Sequence, residues 1–565
     1  MKSFYQDPPQ LGNQFENDVD LRSLLERLLP SEAMQEIWPD LMALGDRVTD
    51  DLLELAQQAE REEPVLEQFD AWGRRIDHIR VSGAWLELDR ISAEEGMVAA
   101  GYERKFGAHS RIYQFARLYL FNPSSAIYTC PLAMTDGAAR LLEVFGQTEE
   151  DREAYRRLTS RDPDEFWTSG QWMTERSGGS DVSGTETVAR LENGVYRLYG
   201  DKWFTSATTS QMAMTLARIE DRDGNIPSGS RGSSLFYVET RLPDGSLNHI
   251  RIHRLKEKLG TKALPTAELT LDGSFARLIG EPGHGVRNIA TLFNITRIYN
   301  ACSAIAFFRR GLELARDYAG RRRAFGKLLC DHPLHAETLA GLEVEQAAGL
   351  HLTFHLAALQ GRLEIGGASD RDVAVLRLLT PLVKLYTARQ AVAGISEILE
   401  SFGGAGYVEN TGLPKMLRDV QVLSIWEGTT NVLSLDALRA IQKDNALAPF
   451  FQDIQIRLGE LESRRFDAQV AKIRGGLEEL DRYLAEARNA DEVFVQGGAR
   501  QFAYSLTRLF AASLLLEHGD WTIGRPEEAR YGALVSRWCE QDLTPLRRVD
   551  AEAHHHSRAL LGLDI

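Results

Sequence analysis

One short segment of the chain places a carboxylate, that of Glu427, between an indole and a glycine. The segment is Ile425–Asn431, with the sequence IWEGTTN. An aromatic neighbour excludes water from a carboxyl and raises its pKa, whereas the N-terminus of a following helix lowers it. Since Gly428 has no side chain, a substrate could reach the carboxyl. Taken alone, the segment fits equally a general base at Glu427 and a residue that helps to cap a helix beginning near Asn431.

Two segments upstream combine hydrogen-bond donors with aromatic rings. Met173–Val182 (MTERSGGSDV) is a loop rich in Gly and Ser, and its hydroxyls and backbone amides can donate to a phosphate or a heterocycle. Lys202–Ser206 (KWFTS) sets an aromatic pair beside two hydroxyls, which can cover a planar ring and bond its edge. A plain surface loop and an ordinary core strand remain open as alternatives for these two segments.

Two further segments lie between the aromatic pair and Glu427. Tyr318–Gly326 (YAGRRRAFG) carries three consecutive arginines, which could pair with a pyrophosphate or could complement the dipole at the end of a helix. Ser401–Tyr407 (SFGGAGY) carries paired glycines, which allow the backbone to approach a ligand closely but which also commonly end a helix.

The hydrophobic pattern indicates which elements position these segments. Apolar residues recur at helical spacing from about residue 20 to 166. Short β-rich runs separated by turn residues follow from about 168 to 278 and predict an antiparallel β-domain. Helical spacing returns at Gly285 and predicts an antiparallel bundle. The further long helical segments of this bundle are 335–363, 370–402 and 431–442.

We therefore predict four domains, in the order helical, β, helical and helical. Their boundaries are 1–166 for an N-terminal helical domain, 167–284 for a middle β-domain, 285–443 for a helical bundle that contains Glu427, and 444–565 for an additional helical domain.

Composition narrows the class of protein and its compartment. The 565 residues are 43% hydrophobic and 26% charged, as in ordinary globular proteins, and the net charge of -16 argues against a surface built for nucleic acid. The four cysteines are scattered, and neither a signal peptide nor a long apolar run is visible, so we expect a cytoplasmic protein without a membrane span. No metal site is expected, because the adjacent histidines 554–556 cannot all face one ion from a helix.

From about Ser92 to Arg439, the chain resembles the acyl-CoA dehydrogenase family, because the five segments occur in the family's order on the same helical–β–helical plan. Each motif alone is modest, whereas the ordered set is highly specific. The resemblance implies a mainly α fold, in which a central β-barrel-like domain follows an N-terminal helical domain and precedes a C-terminal helical bundle. Here an extra C-terminal helical region follows the bundle. The resemblance also implies an FAD cofactor.

Carried over position by position, the resemblance assigns roles to individual residues. Glu427 matches the catalytic base. The positions that match FAD contacts are Met173, Thr174, Ser180, Phe204, Thr205, Ser206, Arg322, Phe325, Gly403, Gly404, Thr429 and Asn431. The positions expected near the acyl-CoA are Ser180, Asn294, Arg297 and Gly428. The aromatic that packs on the flavin stays open between Phe204 and Trp203.

The resemblance also bears on assembly. Arg322 and Phe325 match an R-x-x-F-G pattern that reaches the FAD of a neighbouring subunit in the family, so a homotetramer is expected. Two departures from the family pattern, Glu400 and Pro333 in place of frequent glutamines, concern these cross-subunit contacts.

The reaction implied by the resemblance is the α,β-dehydrogenation of an acyl-CoA thioester. Glu427 would remove the α-proton as a general base, and the flavin would accept the β-hydride. The backbone N–H of Glu427 and a ribityl hydroxyl of FAD would bind the thioester carbonyl and stabilise the developing enolate. An electron-transfer flavoprotein is the expected partner that reoxidises the flavin.

Three features resemble the AidB-like branch of the family: the Trp-Glu-Gly form of the base segment, the N-x-x-x-L-D-x-L-R continuation from Asn431 to Arg439, and the extra C-terminal region. This branch suggests an alternative, a flavoprotein that binds DNA in an alkylation response. Residues 443–565 contain 16 Lys and Arg against 20 Asp and Glu, so their charge does not favour DNA binding, although four basic residues cluster within 464–474. An acyl-CoA oxidase, which passes electrons to oxygen, is the other alternative.

Overall fold

The structure, a computed structural model, describes residues 7–563, and their contacts divide the chain into two units. One unit, called here the helical unit, lies within Met1–Gly45, Phe106–Ala116 and Asn300–Ile565. The other, called the barrel unit, consists of Asp46–Lys105 and Arg117–Tyr299.

The secondary structure runs from helices through strands to helices, as the hydrophobic pattern predicts. The first elements are α1 (Val19–Leu28), α2 (Ser31–Arg47), α3 (Asp51–Arg61), β1 (Val65–Phe69), β2 (Arg75–Arg80), α4 (Gly83–Glu94), α5 (Ala99–Glu103), α6 (Ser110–Phe121), α7 (Thr129–Phe145) and α8 (Glu149–Leu158). The middle strands are β3 (Ser169–Trp172), β4 (Val188–Glu192), β5 (Val195–Ser206), β6 (Met212–Ile219), β7 (Ser233–Glu239), β8 (Ile250–Leu255) and β9 (Thr266–Ile279). The remaining elements are α9 (Gly285–Arg321), β10 (Arg323–Ala324), β11 (Lys327–Leu328), α10 (Pro333–Glu364), α11 (Asp370–Ser401), α12 (Leu413–Leu423), α13 (Thr430–Asp444), α14 (Leu447–Gly459), α15 (Asp467–Ala487), α16 (Glu492–Trp521), α17 (Glu528–Glu540) and α18 (Ala551–Leu560).

The middle strands close into a barrel. Around the ring, β6 pairs with β4, β4 with β5, β5 with β9, β9 with β7, and β7 again with β6, while β3 and β8 pair with β6 and β9 outside the ring. The prediction of an antiparallel domain was wrong in part, because β3 and β4 both run parallel to β6. Hydrophobic patterning predicts which residues form strands, but pairing direction depends on connections that the pattern does not encode.

A two-residue turn joins β4 to β5, and buried apolar side chains pack the strands of the barrel together. Asn193 and Gly194 connect β4 to β5 with φ of +53° and +83°, the left-handed backbone that a tight hairpin requires. Leu198, Phe236 and Leu269 belong to one buried cluster of the barrel unit, which therefore has its own hydrophobic core.

A β-hairpin interrupts the N-terminal region that the sequence predicts as mostly helical. β1 and β2 pair antiparallel, with Val65 opposite Arg80. The hairpin joins the barrel unit through Asp77, whose Oδ2 accepts the backbone N–H of Ile252 on β8 at 2.9 Å. The sequence of β2 does not indicate a strand, because its two isoleucines, Ile76 and Ile79, are three residues apart and the buried Asp77 is polar.

Glycines allow the long helices of the helical unit to approach one another closely. A Cβ placed on Gly394 of α11 would lie 2.3 Å from the Phe308 ring of α9, and one on Gly349 of α10 would lie 2.8 Å from Ile305. Because these glycines have no side chain, α9 packs closely against α10 and α11 in the core of the predicted bundle. The bundle also contains α12, which the sequence pattern did not predict as a separate helix.

The last 120 residues pack against the bundle and the N-terminal helix α1. Arg530 of α17 donates to Asp20 of α1 at 2.5 Å and to Glu343 of α10 at 2.8 Å. In the same unit, the imidazole of His351 on α10 lies 3.1 Å from the hydroxyl of Tyr531 on α17. In residues 7–563, no helix is long and apolar enough to cross a membrane.

Candidate functional site

The turn that carries Glu427 is the most constrained part of the proposed site. It connects α12, which ends at Leu423, to α13, which begins at Thr430. Glu427 has a φ of +57° and Gly428 a φ of +103°. A glutamate rarely adopts a left-handed backbone, and such outliers persist only where the surroundings impose them. The N-cap position of α13 is Thr429 and not Glu427.

A buried lysine holds this turn. The ammonium of Lys384, on α11, donates to the backbone carbonyl of Trp426 at 2.6 Å and to that of Gly428 at 2.7 Å. Lys384 is 1% exposed. Sequence reasoning missed this residue. The available signal was a single lysine in the run TPLVKLYTA, where a buried cation needs partners.

Asn300 of α9 binds the start of the turn, and the indole of Trp426 within the turn has an unpaired N–H. The amide of Asn300 donates to the carbonyl of Leu423 at 3.1 Å. The Nε1–H of Trp426, next to the proposed base, is buried and has no hydrogen-bond partner in the described part of the chain. A buried unpaired donor is costly unless a ligand or a water pairs with it.

In the barrel unit, the Gly/Ser loop follows β3 and folds back on itself. Met173 is buried, Thr174 is half-buried and Ser180 is exposed. The carbonyl of Thr174 accepts the N–H of Trp203 on β5 at 2.9 Å, so the loop is tied to the aromatic pair. At Gly179 only a glycine fits, because a Cβ would lie 2.7 Å from Thr174 Oγ1. The loop therefore packs closely against Thr174 at this glycine.

An ion pair beneath this loop was also missed. Lys202 Nζ lies 2.7 Å from Glu175 Oε1, and both side chains are buried. Glu175 further accepts the Thr187 hydroxyl at 2.6 Å and the Glu186 N–H at 2.5 Å. Burial opposes ionisation of Glu175, but the Lys202 charge and these hydrogen bonds hold its pKa below the usual value. Burial lowers the pKa of Lys202, against the raising effect of Glu175.

The aromatic pair lies at an irregularity of β5. The register of β5 against β9 shifts between Lys202 and Thr205, which re-aims the side chains at this point. The ammonium of Lys256 lies 3.7 Å from the ring centroid of Trp203 and 4.6 Å from that of Phe204. Both rings therefore lie beside one cation, and Phe204 is 49% exposed.

The hydroxyls that follow the aromatic pair are engaged with β9. Thr205 is buried and donates to the carbonyl of Ala267 at 2.8 Å. Ser206 Oγ lies 3.2 Å from Thr266 Oγ1. In the structure, Thr205 Oγ1 thus bonds the strand backbone, whereas the half-buried Ser206 bonds a second hydroxyl.

The remaining predicted residues lie at helix ends and on α9. Arg322 and Phe325 are exposed at the β10–β11 hairpin, and Phe325 is 97% exposed. Gly403, with a φ of +60°, follows Phe402, the C-cap of α11, and ends the helix, and Gly404 is exposed beside it. The other positions are Asn431 on α13, which is exposed, and Asn294 and Arg297 on α9, which are half-buried.

The structure thus brings the predicted residues together in two groups, one in each unit. The loop and the aromatic pair form the group of the barrel unit, and the Glu427 turn forms the main group of the helical unit. Across the described residues, no group of three or more His, Cys, Asp or Glu side chains could hold a metal ion.

Four family models match consecutive parts of the chain. They are the N-terminal domain of the adaptive response protein AidB at residues 6–165, the acyl-CoA dehydrogenase middle domain at 170–274, the acyl-CoA dehydrogenase C-terminal domain at 283–442, and an acyl-CoA dehydrogenase 11 C-terminal domain-like model at 445–562.

Whole-chain relatives agree with these matches. The chain is 44% identical to acyl-CoA dehydrogenase family member 11 of Caenorhabditis elegans, over 96% of this chain and 90% of the relative. It is 31% identical to the putative acyl-CoA dehydrogenase AidB of Escherichia coli, over 82% of this chain and 85% of that protein. A crystal structure of Caenorhabditis elegans ACDH-11 in complex with C11-CoA superimposes with a TM-score of 0.96 at 42% identity, covering 100% of this chain and 98% of that one. The predicted fold class, including the extra C-terminal helices, is confirmed.

Proposed function

Because the chain belongs to the acyl-CoA dehydrogenase family, we propose that it catalyses the FAD-dependent α,β-dehydrogenation of an acyl-CoA thioester. The structural observation that best supports this proposal is the left-handed backbone of Glu427 beside Gly428. A carboxylate fixed next to a residue without a side chain suits a base that must reach a carbon atom of a bound substrate.

The residues of the barrel unit fit a flavin. The loop packs closely on itself at Gly179, and Ser180 beside it is exposed, with a hydroxyl that can donate to the flavin. Trp203 and Phe204 supply aromatic surface beside them. We assign FAD binding to the positions named from the sequence, and among these Arg322 and Phe325 reach the FAD of a neighbouring subunit. FAD, when bound, accepts the hydride that leaves the β-carbon.

Glu427 acts as the general base in this proposal. Its carboxylate removes the proton from the α-carbon of the thioester, and the missing side chain at Gly428 leaves room for that carbon. The backbone N–H of Glu427 donates to the thioester carbonyl, where negative charge develops as the proton leaves. Asn294, Arg297 and Ser180 contact the CoA ester.

We propose a medium-length acyl chain as the substrate, because the relative that superimposes over the whole chain was crystallised with C11-CoA. The proposal extends to a homotetramer in the cytoplasm that passes its electrons to an electron-transfer flavoprotein. The exposed Phe325 at the β10–β11 hairpin supports assembly, because an aromatic 97% exposed in one chain gains burial in an oligomer.

A substrate screen tests this function. The purified protein is expected to be yellow, and acyl-CoAs of increasing chain length are added without oxygen while the flavin absorbance is recorded. Bleaching with a maximum near eleven carbons supports the proposal, and absence of bleaching with every acyl-CoA overturns it. Dye reduction without peroxide formation in air separates a dehydrogenase from an oxidase.

A further inference from the structure

The position of Lys384 on α11 demands an explanation, because a buried ammonium is one of the most costly groups in a protein interior. Lys384 is 1% exposed, and apolar residues, Val383 and Leu385, precede and follow it. Such a group persists only where hydrogen-bond partners offset the cost of its burial.

The ammonium of Lys384 donates to two carbonyls of the Glu427 turn. The carbonyls of Trp426 and Gly428 are those of the residues on either side of Glu427, at 2.6 and 2.7 Å from Nζ. A single ammonium thus bridges the two peptide groups that flank the segment with left-handed backbone. Hydrogen bonds from a charged donor are shorter and stronger than neutral ones, so this bridge resists relaxation of the turn.

The bridge has a second, electronic consequence. The carbonyl of Trp426 and the N–H of Glu427 belong to the same peptide group. A cation bound to the carbonyl polarises that group and makes its N–H a better hydrogen-bond donor, as in any chain of hydrogen bonds. Lys384 can therefore influence the reacting substrate through the peptide without contacting it.

We propose that Lys384 is the positioning residue for the base: it fixes the backbone of Glu427 in its left-handed conformation and strengthens the Glu427 N–H as a donor. The catalytic part of the inference rests on the proposed function, and its structural part rests on the two contacts of Lys384 with the turn. Lys384 makes a larger contribution to proton removal than to acyl-CoA affinity.

The test compares Lys384→Met with Lys472→Met in the intact flavin-loaded protein. Lys472 also donates to a backbone carbonyl, that of Gln541 at 3.0 Å, but it lies in the C-terminal helical region and is the matched control. Stopped-flow flavin reduction by acyl-CoA gives the rate, and the spectral shift on binding gives the acyl-CoA Kd. Hydrogen exchange of the amides of Ile425 and Trp426, which donate to Val422, reports on the turn without turnover.

We expect K384M to reduce its flavin about 100-fold more slowly, as a misplaced reacting group does, with a Kd within about threefold of wild type. Its turn amides should exchange faster, while K472M matches wild type in every measurement. A reduction rate within about twofold of wild type, or unchanged exchange in the turn, overturns the inference. A loss of rate that is matched by an equal loss of affinity also overturns it.

Misfolding of K384M and failure of the proposed function can each be told apart from failure of the inference about Lys384. If K384M does not fold, Lys384→Gln, which keeps amide donors on a shorter side chain, carries the same test with an expected loss of about 10-fold. If no acyl-CoA bleaches the wild-type protein, the proposed function fails, and the exchange measurement alone decides whether Lys384 holds the turn.

Discussion

Lys202 and Glu175 form an ion pair inside the barrel unit, with 2.7 Å between Nζ and Oε1 and almost no exposure of either side chain. The pair joins β5, which carries the aromatic residues, to the loop proposed to bind FAD. Glu175 follows Thr174 and Lys202 precedes Trp203, so the pair fixes the spacing between the two segments that we propose to bind the flavin. The pair therefore supports the proposed cofactor site.

Glu175→Gln is expected to lower the free energy of unfolding by about 3–5 kcal/mol, because it leaves the Lys202 cation buried without its counter-charge. Urea titration measures this loss, and flavin fluorescence measures the accompanying release of FAD. The control is Arg190→Met, which removes an exposed pair with Glu220 at 2.8 Å and should cost less than about 1 kcal/mol. Equal effects of the two variants would refute a special role for the buried pair.

The same carboxyl makes stability depend on pH. Since the folded pKa of Glu175 lies below its usual value of 4.5, the pair stabilises fully above that value. The stabilisation is lost as the pH falls through the folded pKa. Glu343, whose charge is favoured by Arg309, Arg316 and Arg530 despite its burial, also has a lowered pKa and adds to the effect.

We therefore expect the unfolding free energy to fall as the pH drops below about 4.5, and to fall less steeply in Glu175→Gln. Urea titrations between pH 3 and 6, in roughly half-unit steps, measure the slopes. Parallel slopes for the wild type and the variant would show that Glu175 does not contribute to the acid sensitivity.

Gly179→Ala is expected to weaken FAD binding by about tenfold, since the added Cβ would lie 2.7 Å from Thr174 Oγ1 and displace the loop. The matched control is Gly184→Ala in the turn that follows, where a Cβ meets nothing within 4 Å. Titration of the flavin-free protein with FAD gives both affinities. If G179A binds FAD as tightly as G184A, the loop does not cradle the cofactor.

The C-terminal helical region is expected not to shift duplex DNA in a gel, even at low salt. Two members of its basic cluster are used internally: Arg465 pairs with Glu528, and Lys472 donates to the carbonyl of Gln541. Electrostatic binding to DNA requires free cations and depends steeply on salt. A shift that disappears as salt is raised would restore the DNA-binding alternative.

The sequence predicted those parts of the fold that depend on local patterns. The order of the motifs, the long helices α9, α10 and α11, and the helix that begins shortly after Glu427 all follow from residues close together in the chain. The parallel pairing of β3 with β6 and the hairpin β1–β2 were not predicted, because strand direction and short β-runs depend on tertiary context.

The supporting lysines escaped prediction for a different reason. Lys202 pairs with Glu175, and Lys384 bonds the carbonyls of Trp426 and Gly428, from positions distant in the sequence. Lysine is usually exposed, so an apolar run around one lysine is a weak signal of burial, and a sequence pattern does not identify the distant partners of either lysine. Only the folded chain shows that both lysines support segments of the proposed site.

Glu427→Gln tests the central claim most directly. The substitution keeps the shape of the side chain and removes its ability to accept a proton, so the variant should retain FAD and acyl-CoA binding. We predict that anaerobic reduction of its flavin by acyl-CoA slows by about 10²–10⁴-fold, while Glu397→Gln, an exposed change on α11, leaves the rate unaltered. Reduction of the Glu427→Gln flavin as fast as that of wild type would contradict the assignment of Glu427 as the base.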